Sequence, residues 1–354
     1  MTHSTQERRR GIFYTCAYVP EEVLIAAGFR PSRLLPAERG GDSLVHASTC
    51  GYVKSLLGAA EQARDSGAAA IVIANSCDAM RRLYDLWEAH VPTPPALFLD
   101  LPKQADEDSV AFFAFELREL ARRLRDDLAG KAAGDEDLEA AIKSCNELRS
   151  SMGTVFRRQR DPQTAVTGSE VVDLCLRACR DGKREVAADI DELARRPPRP
   201  SGSGTGARIL LAGGLLGGNQ LATEIETAGA QVVAVDSCIA ARDYHGLVEE
   251  GSGDPMRALA RRYLQRPGCA RMHGFEERFA YLKSVAEEAA ADGIVFHTVK
   301  FCDTFLYDVP MLRARFKQLD LPFLWLESDY GSFDAAQAGT RIEAFLETSC
   351  PSGR

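Results

Sequence analysis

"IVIANSCDAMRRLYD", residues 71–85, runs a short apolar segment into a cysteine and then into a helical pattern. An apolar run of this length, closed by polar turn residues and followed by a helix, fits a strand buried on both faces of a parallel sheet. Cys77 stands where that strand ends, at the edge where open α/β sheets present their functional loops.

The neighbouring sequence repeats the pattern. "GIFYT" (11–15), "AAIVIAN" (69–75) and "ALFLD" (96–100) are apolar runs bounded by Gly, Pro or Asn. Between the first two lies "GYVKSLLGAAEQARDSG" (51–67), whose Val53, Leu56, Leu57 and Ala60 recur at helical spacing. Strands alternating with helices imply a parallel sheet joined by right-handed crossovers. The second half offers "ARILLAGG" (207–214), "AQVVAVD" (230–236), "GIVFHTV" (293–299) and "LPFLWLE" (321–327), again separated by helical stretches. Residues 106–196 read as almost wholly helical, with Phe113, Leu117, Leu120 and Leu124 forming one apolar stripe. "RRPPRPSGSGTGAR" (195–208) breaks the pattern with Pro, Ser and Gly, the composition of a linker. The expected organisation is an α/β domain over 1–105, a helical segment over 106–196, a linker over 197–207 and a second α/β domain over 208–354.

Composition bounds the function. A chain of 354 residues has length for two sizeable cores, and 45% hydrophobic with 27% charged residues is ordinary for a globular protein. A net charge of -8 argues against binding nucleic-acid phosphates. The uncharged run 209–223 holds four glycines with Asn219 and Gln220, and falls short of the roughly 18 apolar residues of a membrane helix. "MTHSTQERRRGIFYTC" has no apolar segment of the secretory kind after its basic residues, so the expected location is the cytoplasm. There, the ten cysteines are expected to be free thiols. No C-x-x-C pair occurs, so metal ligands would have to converge from distant positions.

Several cysteines sit where convergence is possible. Cys16, Cys77, Cys238 and Cys302 close predicted strands, and Cys50 precedes a predicted helix. Parallel sheets would bring these positions to one edge. A helix N-terminus stabilises a thiolate, and several thiolates with few histidines favour iron–sulfur chemistry over a hard cation. The competing reading is packing, since free cysteines are among the most buried residues. Packing is the expected role of Cys145, mid-helix, and of the pair Cys175 and Cys179; Cys350 is expected to be incidental. "LLAGGLLGGNQLATE" (210–224) joins a strand to a helix and could rest a phosphate on its amides. It lacks both the G-x-G-x-x-G spacing and the P-loop lysine, and a tight turn explains it as well. His46 and His245 could serve a cleft, whereas His297 falls inside a strand, where a core role is the simpler one. "ESDYG" (327–331) follows the last strand, making Glu327, Asp329 and Tyr330 candidate substrate contacts.

The segments "TCAYVPEEVLIAAGFRPSRLL", "STCGYVKSLLG", "NSCDAMRRLYD" and "VKFCD", with the later "WLESDYGSFDAAQAGTRIEAFLE", resemble in order and spacing the 2-hydroxyacyl-CoA dehydratase and benzoyl-CoA reductase family. The resemblance spans nearly the whole chain and implies two flavodoxin-like domains around an iron–sulfur cluster. It implies that Cys50, Cys77 and Cys302 hold a [4Fe-4S] cluster whose fourth iron is open to water or substrate. The implied chemistry forms a ketyl radical on an acyl-CoA thioester, with the electron supplied by a separate ATP-hydrolysing activator protein. A homologous subunit or a second copy would be the partner. Some relatives instead carry a double-cubane [8Fe-9S] cluster and reduce small non-CoA substrates. Such a cluster needs about six cysteines, for which Cys16, Cys238 and Cys269 are the additional candidates. A cluster-free α/β binding or assembly subunit is the alternative of another class.

Overall fold

The computed structural model describes residues 10–36, 40, 41, 43–198 and 206–350. Two parallel four-stranded sheets organise the chain. The first contains β1 (Gly11–Tyr14), β2 (Arg30–Arg33), β3 (Ile71–Ala74) and β4 (Ala96–Leu99) in the order β2-β1-β3-β4. The second contains β5 (Arg208–Gly213), β6 (Gln231–Asp236), β7 (Gly293–Val299) and β8 (Phe323–Ser328) in the order β6-β5-β7-β8. The two orders are the same pattern, so each sheet has a topological switch point between its first and third strands, where the crossovers diverge. Every residue of β3 and of β7 is buried, as parallel strands covered on both faces require.

The first sheet carries α1 (Glu21–Ala26), α2 (Gly51–Gly58), α3 (Ala60–Asp65) and α4 (Asp78–His90). Next come α5 (Glu107–Asp126), α6 (Asp135–Arg160), α7 (Gly168–Asp181) and α8 (Ala187–Arg195). The stripe Phe113, Leu117, Leu120 and Leu124 is buried along α5. The second sheet carries α9 (Gln220–Thr227), α10 (Ala241–Tyr244), α11 (Pro255–Gln265), α12 (Phe275–Glu288), α13 (Asp303–Gln318) and α14 (Ala335–Ser349). Helix α7 packs on β2 and on β6, the edge strands of the two sheets, and α6 packs on both α1 and β6. These two helices therefore fix one sheet against the other. Among the described residues no helix is long and apolar enough to cross a membrane.

Two local readings need correction. Strand β2, "RPSR", has no apolar run and contains a proline; it is an edge strand paired only with β1, where a missing N–H is tolerated. The pattern over 51–67 is two helices, not one. The chain breaks at Ala59, after Gly58 has packed its Cα against Gly40 so closely that a Cβ there would lie 2.5 Å from the Gly40 Cα. Of the expected linker over 197–207, residues 199–205 lie outside the described residues.

Candidate metal and substrate site

The three thiols Cys50, Cys77 and Cys302 share one local context: each is the residue immediately before a helix, α2, α4 and α13 respectively. The free N–H groups and dipole of each helix start face that position and favour a negative sulfur. The strand-to-helix register explains two of them, because Cys77 follows β3 and Cys302 follows β7, the third strand of each sheet's pattern. Cys50 reaches the same place from the loop that precedes α2. The Gly51 N–H meets the Lys300 carbonyl at 3.4 Å, and the thiols of Cys50 and Cys302 hydrogen-bond to each other.

A second set adjoins the first. Cys16, Cys238 and Cys269 line one cavity together with Arg33, Arg242, Arg266 and Arg271. The Arg33 guanidinium donates to the Cys238 carbonyl at 3.0 Å and meets its sulfur at 3.4 Å. Arg271 spans the two sets, reaching the Cys269 sulfur at 3.3 Å and the Cys302 sulfur at 3.9 Å. Burial opposes the charge of Arg271, and the neighbouring sulfurs outweigh it. Cys50, Cys77 and Cys16 come from the first half of the chain and Cys238, Cys269 and Cys302 from the second, so the six thiols gather between the C-terminal ends of the two sheets. All six are free.

The electrostatics favour the thiolate at Cys302 and Cys269. The hydrogen bond from Cys50 holds the Cys302 thiol well below its usual range against the opposing effect of burial, and Arg271 and the Thr304 hydroxyl add to it. Cys50 moves the opposite way, because the pair shares its proton. Burial opposes ionisation of Cys269, yet Arg271 and Arg242 outweigh it and bring that thiol down. Cysteines remote from the site behave differently. Burial pushes Cys145 and Cys175 well up and Cys179 up to about 12, the behaviour of inert core thiols. Cys350 packs at the end of α14, its sulfur 3.5 Å from the Asp292 carbonyl. Among the described residues no three His, Cys, Asp or Glu side chains close on a single-ion site.

A second cavity, of about 370 Å³, opens beside the thiols at the switch point of the second sheet. Its walls are the glycine-rich loop after β5, the start of α9, His297 and Val299 of β7, and Ser328 of β8 with residues 329–333 after it. Leu215 belongs to the walls of both this cavity and the thiol-lined one. Asp329 and Tyr330 line it, whereas Glu327 lines a neighbouring cleft with Lys300 and Arg341. Gly51 fixes the join to the thiols: a Cβ there would stand 2.3 Å from Asp329 Oδ1 and 3.0 Å from the Tyr330 nitrogen. The Tyr330 and Tyr52 rings pack with centroids 5.0 Å apart. His297 is not a fully satisfied core histidine. Its Nε2 lies 2.8 Å from Ser328 Oγ, but its Nδ1 is buried without a partner. His46 and His245 are exposed and outside both cavities; His46 accepts from the Ser48 N–H, and His245 packs edge-on against Tyr281.

The arginines were not evident from sequence. Arg33 lies on the missed edge strand, and Arg271 sits in a polar loop with no periodicity to flag it.

Comparison with known proteins identifies the family. The family model described as 2-hydroxyglutaryl-CoA dehydratase, D-component, matches residues 16–348. The chain is 25% identical to the (R)-phenyllactyl-CoA dehydratase beta subunit of Clostridium sporogenes over 98% of this chain and 94% of that one. It is 27% identical to one of the subunits of the benzoyl-CoA reductase of Thauera aromatica, over 89% of this chain and 84% of the relative. Identity to the putative dehydratase subunit YjiM of Escherichia coli K12 is 24%, over 94% and 89% of the two chains. With parallel sheets of one shared topology, thiols gathered at their C-terminal ends and a family match over most of its length, this chain belongs to the 2-hydroxyglutaryl-CoA dehydratase D-component family.

Proposed function

We propose that this chain is the iron–sulfur subunit of a 2-hydroxyacyl-CoA dehydratase or a related acyl-CoA reductase. The observation that carries the reading is the meeting of free thiols from both halves of the chain, three of them at helix starts, around buried arginines. Soft, ionisable sulfur donors without histidine suit iron–sulfur clusters. Arg33 supports the fit independently. Its guanidinium is buried and bonds to Thr15 and Cys238, and a buried cation is costly unless an anionic group stands beside it.

Cys50, Cys77 and Cys302 would hold a [4Fe-4S] cluster. When bound, the cluster supplies a strongly reducing electron for transfer to a thioester carbonyl. The chain's own part is to present thiolates from three helix starts, to offset their charge with Arg271 and Arg33, and to bury the site between the sheets. An ATP-hydrolysing activator would be the electron source, and a homologous subunit or a second copy the partner. The relatives are themselves named as subunits, which supports a multi-subunit enzyme.

One observation favours a second reading. Cys16, Cys238 and Cys269 line the cavity next to the first three thiols, and Arg271 touches both sets. Six thiols in one place suit a double-cubane [8Fe-9S] cluster.

Iron and sulfide measured per chain after anaerobic purification decide between them. About four irons, lost in Cys77→Ala and kept in Cys238→Ala, is the result expected for the single cubane. About eight, lowered by either substitution, supports the double cubane. No iron after reconstitution would overturn both and leave a cluster-free α/β subunit.

A further inference from the structure

The four arginines that line the thiol cavity are of two kinds. Arg242 meets Asp236 at 2.9 Å and Arg266 meets Asp243 at 3.0 Å, so each of these charges has a carboxylate opposite it. Arg33 and Arg271 have no carboxylate partner among the described residues. Arg33 donates to the Thr15 carbonyl and reaches both the carbonyl and the sulfur of Cys238. Arg271 donates to sulfur alone, to Cys269 at 3.3 Å and to Cys302 at 3.9 Å. Taking a cation out of water is costly without a counter-charge. At Arg271 that counter-charge has to come from the thiols and from what they hold.

The place of Arg271 is fixed from both halves of the chain. Its loop follows α11 and docks on the first half at points before and after it. The Arg266 guanidinium donates to the Ala17 carbonyl at 2.8 Å, and the Cys269 N–H donates to the Tyr18 hydroxyl at 3.2 Å. Beyond Arg271, the His273 N–H donates to the Lys103 carbonyl at 2.8 Å. Within the loop the Met272 N–H returns to the Cys269 carbonyl at 2.9 Å, which closes the turn that carries Arg271. The Phe305 ring centre lies 5.8 Å from the guanidinium carbon. A charge held in this way is preorganised and acts on its neighbours without first being moved.

We infer that Arg271 sets the reduction potential of the iron–sulfur group held by Cys302 and its neighbours, raising it by stabilising the reduced, more negative state. The inference rests on the cluster reading above and adds to it the residue that tunes the electron transfer. Uptake of one electron adds one negative charge. A fixed cation in contact with a ligand sulfur favours that state over the oxidised one. Hydrogen bonds donated to ligand sulfur act in the same direction. Arg271 is a positioning and tuning residue: it acts through Cys302 and Cys269.

The test uses the full chain, purified without oxygen and with its iron counted, poised with titanium(III) citrate and redox mediators. Electron paramagnetic resonance reads the fraction reduced. Each electron comes from titanium(III), which becomes titanium(IV). Expected for Arg271→Gln is wild-type iron and, at a fixed poise, about a tenfold lower ratio of reduced to oxidised cluster, a shift of about 59 mV to more negative potential. Arg271→Lys keeps the charge and should recover most of that shift, which a merely structural role would not give. Arg271→Met is the second neutral variant and decides the matter if Arg271→Gln loads poorly. An unchanged or raised potential in the loaded neutral variants would overturn the inference, as would an equal fall in Arg271→Lys. Loss of iron in both neutral variants would overturn it too, because the residue would then assemble the group and not tune it. Wild-type chain without iron after reconstitution defeats the cluster reading and this inference with it. Iron present at an unshifted potential defeats the arginine assignment alone.

Discussion

Replacing Glu22 with Gln should destabilise the protein by about 3–5 kcal/mol, the usual cost of stranding one member of a buried ion pair. Glu22 is fully buried, and Arg149 and Tyr263 are nearly so. One carboxylate oxygen accepts from the Arg149 guanidinium and the other from the Tyr263 hydroxyl at 2.9 Å. Arg149 also donates to Asn146 Oδ1 at 3.1 Å. Glutamine keeps the shape but removes the charge and turns an NH₂ toward groups that donate. Two charge-assisted bonds of about 1.5–3 kcal/mol each are weakened, and the guanidinium keeps only neutral partners. Against a total stability of about 5–15 kcal/mol the loss is large. The cluster joins α1, α6 and α11, and so links the segment after Cys16 to the segment before Cys269. Urea unfolding followed by far-UV circular dichroism measures the change, and Glu22→Leu with Arg149→Met should recover most of it. Burial pushes the Glu22 carboxyl up, but Arg149 and Arg262 outweigh it and hold it below its ordinary 4.5. Its contribution is therefore complete above about pH 4.5 and is lost as pH falls through the lower folded-state value. A Glu22→Gln protein within 1 kcal/mol of wild type at pH 7 would refute the assignment of this cluster as a structural tie.

His297 should make stability fall between pH 6.5 and about 4, because the unfolded chain binds a proton there that the folded one refuses. The gap corresponds to about 3 kcal/mol, and His297→Gln should flatten that limb of the stability-against-pH curve; an unaltered limb would contradict it. Gly51→Ala should displace the Asp329–Tyr330 turn, costing about 1–3 kcal/mol in thermal unfolding, whereas a wild-type value would contradict so close an approach. Cys175→Ser should lower stability by about 1–2 kcal/mol by burying a hydroxyl in the fully buried face of α7, yet leave iron content unchanged. Loss of iron in that variant would show that the site extends to α7.

Much of this architecture was legible in the chain. Apolar runs of strand length followed by helical periodicity located seven of the eight strands found among the described residues, because the burial of a parallel strand is written into consecutive residues. The missed strand, β2, draws its place from pairing with β1, and its own four residues carry no apolar signal. Thiols at strand ends were equally visible, since the edge at which a strand stops depends only on local order.

Which side chains meet at that edge is a property of the crossovers. Cys50 and Cys302, 252 positions apart, come into hydrogen-bonding contact only because α7 seats both edge strands and brings two sheet ends face to face. Arg33, Arg271 and the partnerless nitrogen of His297 gain their meaning from that same placement. The sequence by itself determined a chain of alternating strands and helices with cysteines at their junctions, because those features are local. The tertiary structure alone decided that the cysteines form one arginine-lined site with a second cavity beside it, because convergence and burial depend on residues far apart in the chain.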